Sequence, residues 1–205
     1  MHRRLAGRAR TVPHRVAFVG DSLTAYWLET GRLAWGRTFA PLPAEAFGIP
    51  GDTIANLRWR LQNGELEGKG ARLYVVLIGT NDLGQPVPPE PEWIVDGVRK
   101  VVDDIRERRP EARILVQSIP PGGADPRWEH RKRIVRVNSM LAATDWPRGV
   151  SFVDTHDRFL DEDGWQRREL FLDAIHFSAE GYRMLAEALK PEIDRILDET
   201  EGKGR

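Results

Sequence analysis

Short runs of consecutive apolar residues recur along the sequence and alternate with longer amphipathic stretches. The strongest run spans residues 73–78 (LYVVLI), others span 16–19, 114–116 and 150–153, and a weaker candidate lies at 44–47. Short runs that are apolar on both faces are typical of strands buried on both sides of a parallel sheet. The sequence therefore predicts strands whose two faces are both covered by other parts of the chain.

The stretches between these runs have the periodicity of helices that bury one face. One predicted helix ends before Pro110 and carries apolar residues at helical spacing: Ile94, Val98, Val101, Val102 and Ile105. The last predicted helix has Ser178 as its N-cap and a similar stripe: Tyr182, Leu185, Leu189, Ile193 and Ile196. Ile54, Leu57 and Leu61 mark a shorter helix. Strands that alternate with helices predict an α/β sandwich, in which ligands bind beyond the carboxyl ends of the strands.

The composition excludes several kinds of site and predicts one domain. The chain has 205 residues and no cysteine, so disulfides, thiolate metal sites and cysteine nucleophiles are excluded. Its 31 Lys and Arg balance its 31 Asp and Glu, which gives no overall attraction to nucleic acid or to anionic membranes. We expect a flexible basic tail at residues 1–13, then a single domain at 14–199, in a cytoplasmic protein that does not insert into membranes.

Two clusters near the ends of the chain contain the residue types of a catalytic serine site. The first predicted strand runs directly into Gly20-Asp21-Ser22, which places a serine hydroxyl at the rim of the sheet. Asp173 and His176 come just before the last helix, and at this spacing a carboxylate can hold one imidazole nitrogen while the other faces a nucleophile. Taken alone, each cluster also fits a helix cap or an ordinary surface turn.

Two further clusters follow the second and third predicted strands. Gly51 offers a backbone N–H that no side chain obstructs, and Asn81 follows the strongest strand with a side-chain amide. Both groups are suited to donate hydrogen bonds to a developing oxyanion, although each also fits a simple turn. The order of all four clusters favours catalysis, because every one falls where the fold places the rim of a binding site.

With these residues in this order, the sequence resembles the GDSL or SGNH hydrolase superfamily, which is named for a Ser, a Gly, an Asn and a His. The resemblance extends through most of the chain. It matches Ser22 to the nucleophile, with Asp173 and His176 as its catalytic partners. It also matches the N–H groups of Ser22 and Gly51 and the amide of Asn81 to the oxyanion hole.

Within that superfamily, the residues 51–53 (GDT) followed by the segment 57–67 (LRWRLQNGELE) are similar to the catalytic subunits of platelet-activating-factor acetylhydrolase and their bacterial relatives. The resemblance implies a three-layer α/β/α sandwich with a five-stranded parallel sheet in flavodoxin-like order. It also implies activity on short acyl esters, often acetyl esters, and association as a homodimer. Pro50 replaces a glycine and Asp82 replaces an asparagine of that subgroup, and we expect both on the pocket rim.

The resemblance thus predicts a serine esterase that acts on a small-molecule ester without a metal or an organic cofactor. Two alternatives stay open at this point. One is a protein that has kept the fold, lost its activity and serves as a binding or assembly module. The other is a metal-dependent hydrolase built from the following residues: Asp21, Asp154, His156, Asp173 and His176. Residues 154–157 also fit a capped turn.

Overall fold

The computed structural model describes residues 1–68 and 70–201, and it has the α/β fold that the sequence predicts. Within those residues, five parallel strands form one sheet in the order β2-β1-β3-β4-β5. The strands are β1 (Val16–Gly20), β2 (Ala44–Gly48), β3 (Leu73–Leu77), β4 (Arg113–Gln117) and β5 (Val150–Val153). Each predicted apolar run, including the weak candidate at 44–47, is confirmed as a strand.

Helices connect the strands, and several of their ends are set by the residues that the sequence singled out. The helices are α1 (His2–Thr11), α2 (Ser22–Ala25), α3 (Arg32–Thr38), α4 (Ile54–Arg60), α5 (Thr80–Leu83), α6 (Pro91–Arg108), α7 (Glu129–Ala142) and α8 (Ala179–Glu201). The long helix α6 ends just before Pro110, as predicted. The hydroxyl of Ser178 accepts a hydrogen bond from the N–H of Gly181 at 3.2 Å, which confirms the predicted N-cap of α8.

The sheet is buried on both faces because successive residues of its strands point to opposite sides and most are apolar. In β1, Ala17 and Val19 face one core, whereas Val16 and Phe18 face the other. Helices α1, α4, α6 and α7 contribute to the first core, and α2, α3 and α8 contribute to the second. The result is a three-layer α/β/α sandwich. No helix in the part of the chain that the structure describes is long and apolar enough to cross a membrane.

The strand order reverses at β1, and this reversal decides where a site can form. Strand β1 pairs with β2 on one side and with β3 on the other. The connection after β1 leads to α2 and α3 on one face of the sheet, whereas those after β2 and β3 lead to α4 and α6 on the other face. A crevice therefore opens between them at the carboxyl ends of these strands. Ser22 follows β1, Gly51 follows β2 and Asn81 follows β3, so all three lie around that crevice.

The N-terminal segment corrects one expectation, since α1 forms where a flexible tail was expected at residues 1–13. Leu5, Ala6 and Ala9 are buried on one side of this helix, and Leu5 and Ala9 belong to the first core. Two of the arginines of α1 form ion pairs with glutamates of neighbouring segments. The basic composition suggested a solvated tail, but a few apolar residues at helical spacing are enough to dock the segment.

Two substitutions in α1 test whether it is a packed helix. Leu5→Ala should lower the free energy of unfolding by roughly 2–5 kcal/mol, because it removes a buried side chain. Gly7→Ala should raise it by roughly 0.5–1 kcal/mol, because a Cβ there meets nothing within 4 Å and alanine is the better helix former. Urea unfolding measures both changes. A midpoint that neither substitution alters would support the expectation of a flexible tail.

Candidate active site

At the carboxyl edge of the sheet, three side chains form a continuous hydrogen-bonded chain. Ser22 is the first residue of α2, and its Oγ lies 3.0 Å from Nε2 of His176. Nδ1 of the same ring lies 2.8 Å from Oδ2 of Asp173. When Nδ1 carries a proton and donates it to the carboxylate, Nε2 presents a lone pair to the serine hydroxyl. The structure thus brings together three residues that lie far apart in the sequence.

The loop that carries Asp173 and His176 is held in shape by its own backbone. Oδ1 of Asp173 accepts the N–H groups of Ile175 and His176, each at 2.7 Å. The N–H of Leu172 donates to the carbonyl of His176 at 2.8 Å and closes the turn. Burial acts against the charge of Asp173, but the N–H groups and the imidazole together hold the pKa of this carboxyl below its ordinary value. The carboxylate is therefore ionised at neutral pH.

Neighbouring loops hold the same turn from outside. The carbonyl of Ala174 accepts the N–H of Gly123 at 2.8 Å and Nε2 of Gln166 at 3.1 Å. The buried Gln166 also donates to the carbonyl of Pro121 at 2.8 Å, which links the loops after β4 and β5. Because Ala174 lies between Asp173 and His176, these bonds hold the backbone of the turn that carries both residues.

The turn that presents the serine is tight, and the residue before the serine is fully buried. A Cβ at Gly20 would lie 2.1 Å from the carbonyl oxygen of Leu77, so only glycine fits at this point. Oδ1 of Asp21 accepts the N–H of Leu23 at 3.0 Å and caps α2. Burial raises the pKa of Asp21 to about 7, with a smaller contribution from nearby carboxyl groups, and the hydrogen bond from Leu23 opposes the rise.

Gly51 occupies a turn that suits glycine. The N–H of Asp52 donates to the carbonyl of Ile49 at 3.2 Å, which closes a four-residue turn with Pro50 and Gly51 at its centre. The φ angle of Gly51 is +84°, in the left-handed region, and proline before glycine is the usual sequence of such a turn. Pro50 is exposed, as expected for a residue on the rim.

Asn81 lies in α5, directly beyond β3, and contacts the turn that contains Gly51. Its Nδ2 donates to the carbonyl oxygen of Asp52 at 2.9 Å. This hydrogen bond joins the loop after β2 to the loop after β3. An amide nitrogen carries two hydrogens, so this bond leaves the second hydrogen available to another acceptor. Gly51 and Asn81 are therefore close neighbours, which is what two donors to a single oxyanion must be.

Asp82 does not lie on the pocket rim, and that expectation is wrong. The residue is 2% exposed, and its Oδ2 accepts the N–H of Ile54 at 3.0 Å, at the first residue of α4. Burial raises the pKa of Asp82, and the hydrogen bond from Ile54 partly offsets the rise. Asp82 therefore anchors the start of α4 and has no surface with which to contact a substrate.

The residues of the metal-enzyme alternative do not meet at one point. Oδ1 of Asp154 accepts the N–H of His156 at 2.9 Å in a capped turn, and Nδ1 of His156 lies 3.0 Å from the carbonyl oxygen of Ile119. Asp21 caps α2, and the remaining pair faces the serine. Across the described ranges, no group of three or more histidines and carboxylates is placed to hold a metal ion.

A buried ion-pair network beneath the crevice was missed by the sequence reasoning. Arg60 is 2% exposed, and its guanidinium contacts the carboxylates of Asp52 and Glu65. Arg60 and Glu65 belong to the segment 57–67, which carries the resemblance to the acetylhydrolase subunits. The sequence alone assigned no role to these two residues. A signal was present in the sequence, since Arg60 follows Leu57 by three residues and so falls on the buried face of a predicted helix.

Comparisons with known proteins point to one family. The model of the GDSL-like Lipase/Acylhydrolase family matches residues 18–184 of this chain. Platelet-activating factor acetylhydrolase IB subunit alpha1 from Homo sapiens is 32% identical over 206 residues, which cover 100% of this chain and 86% of the relative. Subunit alpha2 from Homo sapiens is 33% identical over 187 residues, which cover 90% of this chain and 78% of the relative.

Solved structures show the same fold at lower identity. A GDSL-like lipase from Bacteroides thetaiotaomicron has a TM-score of 0.79 at 18% identity, with 95% of this chain and 97% of the other covered. A catalytic mutant of an acetylxylan esterase from Geobacillus stearothermophilus has a TM-score of 0.69 at 17% identity, with 88% and 94% covered. These structures share the α/β/α sandwich with the chain described here.

The raised pKa of Asp21 predicts a pH-dependent effect of its replacement by asparagine. The folded-state pKa is about 7 and the ordinary value is 3.8, so the folded protein holds a proton that the unfolded chain releases. Stability contributed by that proton is fully present below about pH 3.8 and is lost as the pH rises to about 7. Asp21→Asn should therefore raise the free energy of unfolding more at about pH 8 than at about pH 5, by roughly 2–3 kcal/mol.

Urea unfolding at the two pH values measures this difference. Asp125→Asn is the matched control, because an exposed ion pair with Arg127 lowers the pKa of Asp125, and its loss should give no gain at the higher pH. An equal effect of Asp21→Asn at both pH values would contradict the assignment.

Proposed function

The chain belongs to the GDSL-like lipase/acylhydrolase family and is a carboxylic ester hydrolase, and we propose that it is a serine esterase for short-chain acyl esters. The observation that supports this mechanism is the hydrogen-bonded chain from Ser22 through His176 to Asp173. The nucleophile, the base and the group that orients the base are the three parts that such a reaction requires.

In the first half of the proposed reaction, the acyl group moves to the enzyme. Nε2 of His176 takes the hydroxyl proton of Ser22 as Oγ bonds to the ester carbonyl carbon. The carboxylate of Asp173 holds Nδ1–H and stabilises the imidazolium. The bond to the alcohol then breaks, and His176 gives its proton to the oxygen of the leaving alcohol.

In the second half, water releases the acid. Nε2 of His176 takes a proton from water as the water oxygen attacks the acyl carbon, and Oγ of Ser22 leaves and recovers the proton. In both halves the carbonyl oxygen becomes negative. We assign its stabilisation to the N–H groups of Ser22 and Gly51 and to the amide of Asn81. These steps require no metal or organic cofactor.

The printed names of the relatives support a small acyl group. The curated relatives are acetylhydrolase subunits, and one solved structure is an acetylxylan esterase. We extend that preference to this chain and propose acetyl esters of small molecules as its substrates. Because those relatives are named as subunits, we also propose that two copies associate. Leu28 and Leu33, exposed on the second-core side near α3, are available for such a contact.

Labelling with a fluorophosphonate tests the catalytic assignment. An activated serine displaces fluoride from phosphorus, so intact mass and peptide mapping should find one adduct on Ser22. Ser22→Ala should lose both the adduct and esterase activity. Ser139→Ala is the matched control, because this exposed serine bonds only to a carbonyl of its own helix in the described structure.

Other outcomes of the labelling would show which part of the proposed mechanism is wrong. An adduct on a different serine would contradict the assignment of Ser22. Folded protein that neither takes the label nor cleaves p-nitrophenyl acetate would support an inactive binding module. Hydrolysis that survives Ser22→Ala but is lost on addition of EDTA would support a metal-dependent hydrolase.

The proposed acyl preference predicts a dependence on chain length. kcat/KM for p-nitrophenyl acetate should exceed that for the octanoate by at least about tenfold, because a pocket fitted to a methyl group excludes longer chains. A series of acetate, butyrate, hexanoate and octanoate esters measures this with a constant leaving group. Equal kcat/KM values for all four esters would contradict the proposed acetyl preference but not the serine mechanism.

A further inference from the structure

The segment 57–67 contains charged residues that the proposed mechanism does not use. Arg60 and Glu65 are both buried, at 2% and 5% exposure. A buried guanidinium is retained only where its charge and its N–H groups are matched by partners. The partners of Arg60 therefore indicate what the segment does.

Within the described residues, the guanidinium of Arg60 donates to four groups from separate parts of the chain. Its Nε donates to Oδ2 of Asp52 at 2.6 Å, and one terminal nitrogen contacts Glu65 and donates to the carbonyl of Phe47 at 3.2 Å. The other terminal nitrogen donates to the carbonyl of Gly20 at 2.9 Å. Gly20 ends β1 and Phe47 lies in β2, so one side chain joins two strand ends to a loop.

Two of these partners, Gly20 and Asp52, lie beside proposed catalytic groups. The carbonyl of Gly20 lies two residues before Ser22, and Asp52 follows Gly51 directly. The main-chain carbonyl of Asp52 accepts the amide of Asn81 at 2.9 Å, while its carboxylate accepts Arg60. Asp52 is thus fixed by its backbone and by its side chain, and the positions of Gly51 and Asn81 depend on it.

The charges favour a single arrangement of this network. Burial raises the pKa of both Asp52 and Glu65, and the cation of Arg60 opposes the rise in each case. Removal of the guanidinium would leave two buried carboxyl groups without their shared cation. The planar guanidinium also spans several acceptors at fixed angles, which a lysine ammonium does not do.

We propose that Arg60 is a positioning residue that sets the oxyanion hole against the nucleophile. It ties the end of β1, which leads to Ser22, to the turn that presents Gly51 and supports Asn81. This inference rests on the proposed function, since it assigns a role within the same reaction. It accounts for the two buried charged residues of the segment 57–67, Arg60 and Glu65, without placing either in contact with the substrate.

The proposal predicts a change in kcat more than in KM. A displacement of the donors by a fraction of an ångström affects the negative oxygen of the transition state more than the neutral ester. Arg60→Lys keeps the charge but loses the fixed geometry, and should lower kcat by roughly 10- to 100-fold with KM changed by less than about threefold. Each kcat is calculated per Ser22 that the fluorophosphonate labels at completion, so that only folded enzyme is counted.

Arg58→Lys is the matched control. Arg58 lies on the same helix and pairs with Asp104 through two hydrogen bonds, of 2.6 and 3.2 Å, away from the strand ends. The substitution is chemically identical, and kcat should stay within about twofold of the parent. Asp52→Asn is a second test variant, because it weakens the pair with Arg60 and keeps the carbonyl that Asn81 contacts. It should lower kcat in the same direction as Arg60→Lys.

A double-mutant cycle with Asn81→Ala separates positioning from general damage. Asn81→Ala alone should lower kcat by roughly 100- to 1,000-fold. If Arg60 acts through the oxyanion hole, Arg60→Lys should lower kcat by a smaller factor in that background than in the parent, because one of the donors that it positions is already absent. A full additional loss, equal to that in the parent, would overturn the positioning role.

The remaining outcomes distinguish this inference from the proposed function. A normal kcat in Arg60→Lys, beside a large loss in Asn81→Ala, would overturn the positioning role and leave the serine mechanism in place. A normal kcat in Asn81→Ala would overturn both the oxyanion hole and the role of Arg60. An equal loss in Arg58→Lys would also overturn the inference, since that variant leaves the network intact.

Discussion

The reversal of strand order at β1 is the constraint on which the site depends. Because β1 leads to helices on one face of the sheet while its neighbours β2 and β3 lead to helices on the other, their loops separate at the carboxyl edge and open a crevice. The serine, the glycine turn and the asparagine each follow one of these strands. A buried sheet with two covered faces makes their backbone positions rigid, so short loops are enough to aim the side chains.

Below that crevice the structure buries Asp21, Asp52 and Asp82, and negative charge there would oppose an oxyanion. Each carboxyl group is compensated differently. Asp21 has a pKa of about 7 and holds a proton part of the time, Asp52 pairs with Arg60, and Asp82 accepts a helix N–H. The ionised carboxylate of Asp173 sits instead at the exposed edge, where it can stabilise the imidazolium.

The sheet and the catalytic candidates could be predicted because their signals are local. Apolar runs define the strands, and short polar clusters directly follow them. The rest required tertiary information. Asp82 has the sequence of a turn residue, but it caps a helix that begins 28 residues earlier. The first helix was expected to be a solvated tail because its sequence contains more arginines than large apolar residues. Leu5 and Ala9 are buried only by residues that are distant in the sequence.

The central claim is that the negative oxygen of the acyl group attached to Ser22 meets all the proposed donors at once. A crystal structure of the fluorophosphonate adduct tests this most directly, because its phosphoryl oxygen stands in for the oxyanion. We expect that oxygen within about 2.7–3.1 Å of the N–H groups of Ser22 and Gly51 and of the amide of Asn81. An adduct on Ser22 whose oxygen points away from Gly51 and Asn81 would contradict the account.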